Sequence, residues 1–331
     1  MFALHVVQAE EGDCLLLQSG RSFVLVDGGP NGTFTDHLLP TLVDRKVARL
    51  DLVVISHVDG DHIAGLIDLL ATKPVRPIGC VWHNAFSMQV GAKIQKRVVQ
   101  IVAAKPRRSI AQGNQLAGLV RNIPLNPQFS GGLVSVESAD KARLFGGFEL
   151  RVVGPDARAL TRLKKDWTRW LAKVVRRVAR GKAKPDTSVT NRSSIVLLAK
   201  SGSKSMLLTG DSRWDEVLSG LETAGVLDRG GRIHVDVLKV QHHGSMRNSK
   251  PEFFRRVTAN KYVISANGRY DNPDVDTLLW IVDAAKGRQF EMIVTNVPTQ
   301  VKTLLKKRPP EEHGYSLRSI PEGKHFITVT P

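Results

Sequence analysis

Four side chains of the kinds that bind metal ions lie within a single six-residue stretch, from His57 to His62. An apolar run over residues 50–55 predicts a buried strand before it, and apolar residues at helical spacing over residues 63–70 predict a helix behind it. The stretch is therefore expected on a loop between a strand end and a helix start, where side chains from a tight turn converge. Turn propensity accounts for the aspartates and the glycine, but not for two histidines at this spacing. Imidazole and carboxylate together favour zinc, manganese or iron.

The stretch resembles the signature loop of the metallo-β-lactamase superfamily, which usually reads His-x-His-x-Asp-His. Here Asp59 replaces the middle histidine. This variant resembles the ComEC-type branch, named for the hydrolase domain of a DNA-uptake protein, and the related phosphorylcholine esterases. A carboxylate in place of an imidazole favours oxygen-rich coordination, so manganese competes with zinc. The resemblance implies an α/β fold, the αββα sandwich in which helices flank two mixed β-sheets, and two divalent metal ions, Zn or Mn.

Later segments resemble the same branch. A predicted strand over residues 205–211 ends in Asp211, and another over residues 235–240 leads to the pair His242-His243, followed by Gly244-Ser245. The resemblance implies that Asp211 bridges the two ions. It also implies one ligand set of His57 and Asp59, and a second set of Asp61 and His62, each completed by one histidine of the pair. Which histidine completes which set stays open, and a histidine of the pair that binds no metal becomes a candidate acid.

Two earlier segments of the chain, the pair Gly12-Asp13 and the turn Asp27-Gly28-Gly29, together resemble the superfamily's opening hairpins. Asp27 either orients a metal-bound histidine or simply shapes the turn, and both interpretations stay open.

The predicted catalytic residues are Asp61, His83 and His243. His83 ends a predicted strand over residues 77–83, so it is a candidate proton donor, substrate contact or further metal ligand, or a structural residue. Asn272 stands where the ComEC-type branch usually carries a histidine, in a Tyr-Gly-His-Pro run. An amide binds a phosphoryl oxygen but does not shuttle a proton at neutral pH. Asn272 is therefore predicted to bind substrate.

The net charge of +17 points to a polyanionic partner, most often nucleic acid, sometimes an anionic membrane. Residues 157–180 read as an amphipathic helix with an apolar stripe and a basic stripe. We predict that the basic stripe contacts substrate phosphates through Arg169, Lys173, Arg176 and Arg177. The alternatives are an ordinary solvated face and a helix lying in the plane of a membrane.

The 331 residues are 42% hydrophobic, which is enough for a large core. We expect a single metallo-β-lactamase-fold domain over residues 1–331, elaborated at about 85–190. Cys14 and Cys80 lie in apolar stretches and read as buried thiols, not as a disulfide framework. No signal peptide or membrane-spanning run is seen, so a cytoplasmic protein is expected. Residues 181–186 read as an exposed basic loop, a candidate site for a regulatory protease.

These features predict a metal-dependent nuclease that acts on DNA, in which two ions hold a hydroxide as the nucleophile. The stand-alone form suggests defence against foreign DNA or repair. One alternative is a hydrolase of a small anionic phosphoester, with the positive charge serving another purpose. A second is a non-catalytic nucleic-acid-binding module that retains a relic metal site.

Overall fold

Two β-sheets face each other in the computed structural model, which describes residues 1–73, 76–85, 88, 108–139, 141–162, 164–165 and 194–331. The described strands are β1 (Phe2–Val7), β2 (Leu15–Ser19), β3 (Ser22–Val26), β4 (Leu50–Ile55), β5 (Ile78–His83), β6 (Arg143–Phe145), β7 (Phe148–Gly154), β8 (Val196–Ser201), β9 (Lys204–Leu208), β10 (Ile233–Lys239), β11 (Val257–Ile264), β12 (Phe290–Val294), β13 (Tyr315–Ser319) and β14 (Phe326–Val329).

The described helices are α1 (Leu39–Asp44), α2 (Gly60–Ala71), α3 (Arg108–Leu119), α4 (Trp214–Thr223), α5 (Pro251–Arg256), α6 (Val275–Ala284), α7 (Thr299–Lys307) and α8 (Pro310–His313). Among the described residues, none of them is both long and apolar enough to cross a bilayer.

The first sheet has the strand order β14-β1-β2-β3-β4-β5, and the second has the order β13-β12-β11-β10-β9-β8-β7-β6. Both sheets are mixed. In the first, β3, β4 and β5 are parallel while β1 and β2 pair antiparallel. In the second, the strands from β9 to β13 run parallel. Parallel neighbours bring their carboxyl ends to one edge of each sheet, which is where the loops that carry the predicted ligands lie.

Alternating side chains explain the layers. Leu15 and Leu17 of β2 point into the space between the sheets, while Leu16 between them faces helices α1 and α2. In the same way Leu197 of β8 faces the first sheet, and Leu198 faces the helices on the outer side of the second sheet. Three apolar layers result, one between the sheets and one under each set of helices. The predicted αββα sandwich is confirmed.

The element boundaries differ from the sequence predictions at functionally relevant points. The helix behind the histidine-aspartate stretch begins at Gly60, so Asp61 and His62 lie in its first turn instead of before it. A π-helical turn, Phe34–Leu38, comes directly before α1. The predicted basic helix lies mostly outside the described residues, and the predicted protease loop lies wholly outside them.

Helix α2 lies directly against the turn after β3, because two glycines permit the approach. The amide of Gly28 donates to the carbonyl of His62 at 2.7 Å, and the amide of Gly65 donates to the carbonyl of Gly29 at 3.0 Å. A Cβ at Gly65 would overlap the carbonyl oxygen of Gly28, which is backbone and does not yield easily. The turn therefore fixes the position of the first helical turn and of His62.

We predict that Gly65→Ala lowers the free energy of unfolding by about 3 kcal/mol, because the new methyl group forces the helix and the turn apart. Gly118→Ala is the matched control, since Gly118 also lies in a helix but its Cβ would meet no atom within 4 Å. That substitution should raise the free energy of unfolding by up to about 1 kcal/mol. Urea unfolding of both variants measures the difference, and equal stability of the two would contradict the close approach described here.

Candidate metal centre

The carboxylate of Asp211 is surrounded by four imidazoles. Its Oδ2 lies 3.6 Å from Nε2 of His57 and 3.7 Å from Nε2 of His242. Its Oδ1 lies 3.4 Å from Nε2 of His62 and 3.6 Å from Nε2 of His243. These residues follow three different strands, β4, β9 and β10, so the fold brings together groups that are far apart in the sequence.

The two oxygens of Asp211 separate the surrounding groups into two sets. On the Oδ2 side, the carboxylate of Asp59 lies 3.7 Å from Nε2 of His57. On the Oδ1 side, Oδ2 of Asp61 lies 3.6 Å from Nε2 of His243 and 3.9 Å from Nε2 of His62. The grouping agrees with the two ligand sets that the resemblance implies, and it pairs His242 with the first set and His243 with the second. Two groups of three of these residues have ligand atoms within 4.8 Å of one another, namely His57 with His62 and Asp211, and Asp61 with His62 and His243.

The adjacent histidines reach both sets because the turn splays their rings. His242 and His243 have φ values of 46° and 54°, in the left-handed region that residues other than glycine rarely adopt. Their rings lie at 87° to each other, with centroids 5.7 Å apart. A left-handed backbone at non-glycine residues costs free energy, and such conformations collect at functional sites.

Buried partners on the far side of the rings orient the Nε2 atoms toward Asp211. Asp27 accepts hydrogen bonds from the Ser56 amide at 2.8 Å and from the Ser56 hydroxyl at 2.6 Å, and its Oδ2 lies 2.8 Å from Nδ1 of His62. Nδ1 of His57 lies 3.0 Å from the Ser56 hydroxyl oxygen, and Nδ1 of His243 donates to the carbonyl of Ser265 at 3.0 Å. A proton held on Nδ1 leaves the lone pair of Nε2 for a metal ion. Asp27 therefore orients His62 and also shapes the turn.

The local charges move the pKa values of these groups in opposite directions. Burial, together with the neighbouring His62, lowers the pKa of His57 to about 4. Burial also opposes a proton on His243, but Asp211 and Asp13 outweigh it and raise the pKa to about 10. For Asp61, burial is outweighed by His62 and His243, which lower the pKa to about 2. The carboxylate of Asp61 is thus ionised at neutral pH, and a divalent ion that binds His243 would displace a proton from it.

The donor atoms fit divalent metal ions. Among the described residues, Nε2 of His57, His62 and His243 and Oδ1 of Asp211 are buried and have no hydrogen-bond partner. Buried polar atoms are ordinarily paired, because an unpaired one costs about 1–3 kcal/mol. Three such nitrogen atoms around Asp211, together with its own Oδ1, would be satisfied by cations bound between them. Imidazole and carboxylate ligands suit zinc, and the three aspartates also suit manganese.

A buried ion pair lies behind the second ligand set. Nζ of Lys239 lies 2.7 Å from Oδ2 of Asp13, and both side chains are inaccessible to solvent. The other oxygen of Asp13 lies 3.6 Å from Nδ1 of His243. Lys239 also donates to the carbonyl of Val240 at 3.1 Å, so it stabilises the strand end that leads into the histidine pair. The sequence signal for this residue is a lysine between Leu238 and Val240 at the buried end of a strand, where a charge needs an anionic partner.

A pocket of about 780 Å³ opens onto the site. Its lining includes Asp59, Asp61, His242 and His243 together with Asn272, the residue predicted to bind substrate. Gly60, the first residue of helix α2, also lines the pocket. The rest of the lining comes from three loops and from helix α3, which the sequence analysis did not identify: Glu10, Glu11, Pro30, Asn31, Gln112, Arg269 and Tyr270. These residues carry no motif of their own, so only the fold reveals that they share a cavity.

The remaining predicted site residues lie elsewhere. His83 is buried at the end of β5, where burial lowers its pKa to about 4. Its backbone amide donates to the side-chain oxygen of Asn126 at 2.8 Å. His83 does not belong to any group of candidate metal ligands found among the described residues, and it does not line the pocket. Its catalytic role stays a prediction. Arg169, Lys173, Arg176 and Arg177 lie outside the described residues.

Comparison with known proteins identifies relatives for part of the chain. The family profile of the metallo-beta-lactamase superfamily matches residues 8–147. Over 94 residues the chain is 38% identical to ComE operon protein 3 of Bacillus subtilis (strain 168), and the match covers 27% of this chain and 11% of that protein. The chain thus matches a small part of a much longer relative.

Solved structures with this arrangement of elements are distant in sequence. The metallo-beta-lactamase fold protein YhfI from Bacillus subtilis is 15% identical, with a TM-score of 0.47 over 99% of each chain. A diphosphatase from the PhnP family is 11% identical, with a TM-score of 0.39 over 96% of this chain and 84% of that chain.

We predict that Lys239→Met lowers the free energy of unfolding by about 3–5 kcal/mol, because it leaves the charge of Asp13 buried without its partner. Lys204→Met is the matched control. Lys204 pairs with Asp236 at 3.2 Å, but its side chain is half exposed, so its loss should cost at most about 1 kcal/mol. Thermal unfolding in excess chelator measures both without a contribution from bound metal.

The double variant Lys239→Met with Asp13→Leu removes both charges of the buried pair. It should recover part of the stability that Lys239→Met loses, since the uncompensated carboxylate is gone. Similar losses for Lys239→Met and Lys204→Met would show that the buried pair does not stabilise this part of the fold.

Proposed function

We propose that the chain is a hydrolase of the metallo-beta-lactamase superfamily, whose profile matches residues 8–147. On this proposal it hydrolyses phosphodiester bonds with two divalent metal ions, as a nuclease that acts on DNA. The observation that carries the proposal is the position of Asp211 between two sets of imidazoles, one on each carboxylate oxygen. Such an arrangement suits a pair of cations sharing one bridging carboxylate.

We assign His57, Asp59 and His242 to one ion and Asp61, His62 and His243 to the other, with Asp211 shared. When bound, such a pair of ions lowers the pKa of water and offsets the charge that develops on the attacking and leaving oxygens of a phosphoryl group. Asp27, Ser56 and Ser265 hold the imidazole rings in the orientation that the ions require. Both histidines of the pair face Asp211, so we assign neither of them as the acid.

The pocket receives the substrate beside these ligands. The side-chain amide of Asn272 lines the pocket and offers hydrogen-bond donors to a phosphoryl oxygen. The net charge of +17 favours a polyanion over a neutral ester, because it raises the local concentration of the substrate around the protein. These two features support a nucleic acid as the substrate. The phosphate contacts of the predicted basic helix, a cytoplasmic location and a role in defence stay proposals.

A hydrolase of small phosphodiesters is the second candidate, and the composition of the pocket favours it. Within the described lining, the side chains Glu10, Glu11, Asp59 and Asp61 are acidic, whereas the basic side chain besides the two histidines is Arg269. After metal binding neutralises Asp59 and Asp61, the two glutamates still face a long polyanion. A small diester avoids the two glutamates more easily than a nucleic-acid strand does.

We predict that the protein purified without chelator contains close to two zinc or manganese ions per chain. Asp211→Asn should lose bound metal, because the substitution weakens both metal sites at once. It should also lower kcat for plasmid DNA and for bis(p-nitrophenyl) phosphate by about a thousandfold, because the loss of the ions removes several kcal/mol of charge stabilisation from the transition state. Elemental analysis and initial rates with added Mn²⁺ or Zn²⁺ measure the two effects separately.

Asp283→Asn is the matched control, because Asp283 lies in a surface ion pair with Arg308 and outside the pocket, and it should keep metal content and rate. Cleavage of the small diester without cleavage of DNA would favour the second candidate. Salt-sensitive DNA binding by a protein that contains no metal and cleaves neither substrate would instead support a binding module, and would end the proposal of hydrolysis.

A further inference from the structure

Tyr270 is an exposed aromatic residue at the mouth of the metal-site pocket. It lines the same cavity as His242 and His243, yet 74% of its surface is open to solvent. Aromatic side chains that line a concave site beside polar groups commonly contact a ligand there. The location of this ring beside the candidate reaction centre makes a substrate contact the simplest reason for its exposure.

The ring is held in place by a chain of charged contacts. The guanidinium carbon of Arg269 lies 5.2 Å from the ring centroid of Tyr270, within the range of a cation–π interaction. Nη1 of Arg269 in turn lies 2.6 Å from Oε1 of Glu11, whose side chain is largely buried. The neighbouring Asn267 donates to Glu10 at 3.0 Å. Two loops are thereby joined across the mouth of the pocket, and Arg269 covers one face of a ring that is otherwise open.

The backbone at this position is strained. Tyr270 and Asp271 have φ values of 55° and 64°, in the left-handed region that is unfavourable for residues with a Cβ. The surrounding turn maintains the conformation through hydrogen bonds from Gly268 to the carbonyl of Asn272 at 2.9 Å and from the amide of Asn272 to the carbonyl of Arg269 at 3.2 Å. Such local strain is typical of residues that the fold holds in a functional position.

Three side-chain amides line the same pocket as the ring. Asn31 and Asn272 come from two loops, and Gln112 comes from helix α3. Each amide offers both hydrogen-bond donors and an acceptor. An exposed aromatic ring and several amides in one pocket match a planar group that carries donors and acceptors along its edge, which is the chemistry of a nucleobase.

We propose that Tyr270 is a stacking platform for the nucleobase next to the scissile phosphate, so that the substrates are nucleotide diesters and not diesters in general. The inference rests on the proposed phosphodiester hydrolysis for its place in the reaction, but not for the binding itself. The ring recognises the π-face that all nucleobases share, so it selects nucleotides without selecting sequence. The amides then contact the edge of the base, and the phosphate lies toward the metal ligands.

The test compares two single-stranded oligonucleotides of equal length and charge, one of thymidylates and one whose sugars carry no base. Equilibrium binding is measured by fluorescence anisotropy of the full chain in chelator at fixed ionic strength, and kcat and KM are measured with Mn²⁺. The wild type should bind the thymidylate oligonucleotide at least about tenfold more tightly, the lower end of what base stacking on an aromatic side chain contributes.

Tyr270→Leu should abolish that preference and raise KM for the thymidylate oligonucleotide about tenfold while kcat changes little, because the ring binds the base and not the reacting phosphate. Tyr270→Phe keeps the ring and should keep the preference. Leu144→Ala is the matched control, since Leu144 is 75% exposed but does not line the pocket, and it should behave as the wild type.

The binding and rate measurements distinguish failure of this inference from failure of the proposed function. If Tyr270→Leu weakens both oligonucleotides equally, or neither, the platform is overturned even where DNA is cleaved. If the preference disappears in Tyr270→Leu but no diester is hydrolysed with any metal, the platform stands and the hydrolysis fails. Displacement of the thymidylate oligonucleotide by tetramethylammonium at millimolar concentration would overturn the platform in favour of a cation ligand at the ring.

Discussion

The contact of one carboxylate with four imidazoles is the interaction around which this structure is organised. Nε2 atoms of His57, His62, His242 and His243 all lie within 3.7 Å of an oxygen of Asp211. Buried imidazoles and carboxylates are costly to desolvate, and charge attraction alone rarely repays that cost. Protonated His243 compensates part of that cost, and divalent cations bound among these groups would compensate more of it. The hydrogen-bond partners Asp27, Ser56 and Ser265 hold the imidazoles in the orientation that such cations require.

The rest of the molecule can be understood as support for that contact. Gly28 and Gly65 allow helix α2 to approach the turn after β3, and this approach determines where His62 lies. The left-handed residues of the 242–243 turn direct two adjacent rings to opposite sides of one carboxylate. The pair Lys239–Asp13 occupies the space behind His243 with two compensating charges. Each of these features is local, but all of them affect the orientation of an imidazole ring.

Much of this arrangement was predictable from the sequence, because the motif His57 to His62 and the pair His242-His243 combine rare residue types with strand-to-loop positions. The sandwich followed from the resemblance that these motifs carry, and so did the proposal of two ligand sets. The pairing of His242 with one set and His243 with the other was not predictable, since it depends on backbone dihedral angles. Gln112 and Tyr270 escaped the sequence analysis for a different reason, because helix α3 and the loop after β11 become neighbours only through tertiary packing. The proton donor predicted at His83 and the single domain over residues 1–331 stay predictions.

The ligands come from loops of both sheets, and this division has a consequence beyond chemistry. His57, Asp59, Asp61 and His62 follow a strand of the first sheet, whereas Asp211, His242 and His243 follow strands of the second. An ion bound between them would cross-link the two sheets of the sandwich. The unfolded chain would bind the same ion less tightly, because its ligands are not held together. Folding and metal occupancy are then thermodynamically linked, and the folded fraction rises with the concentration of free ion. Metal scarcity would thus reduce the lifetime of the protein as well as its turnover.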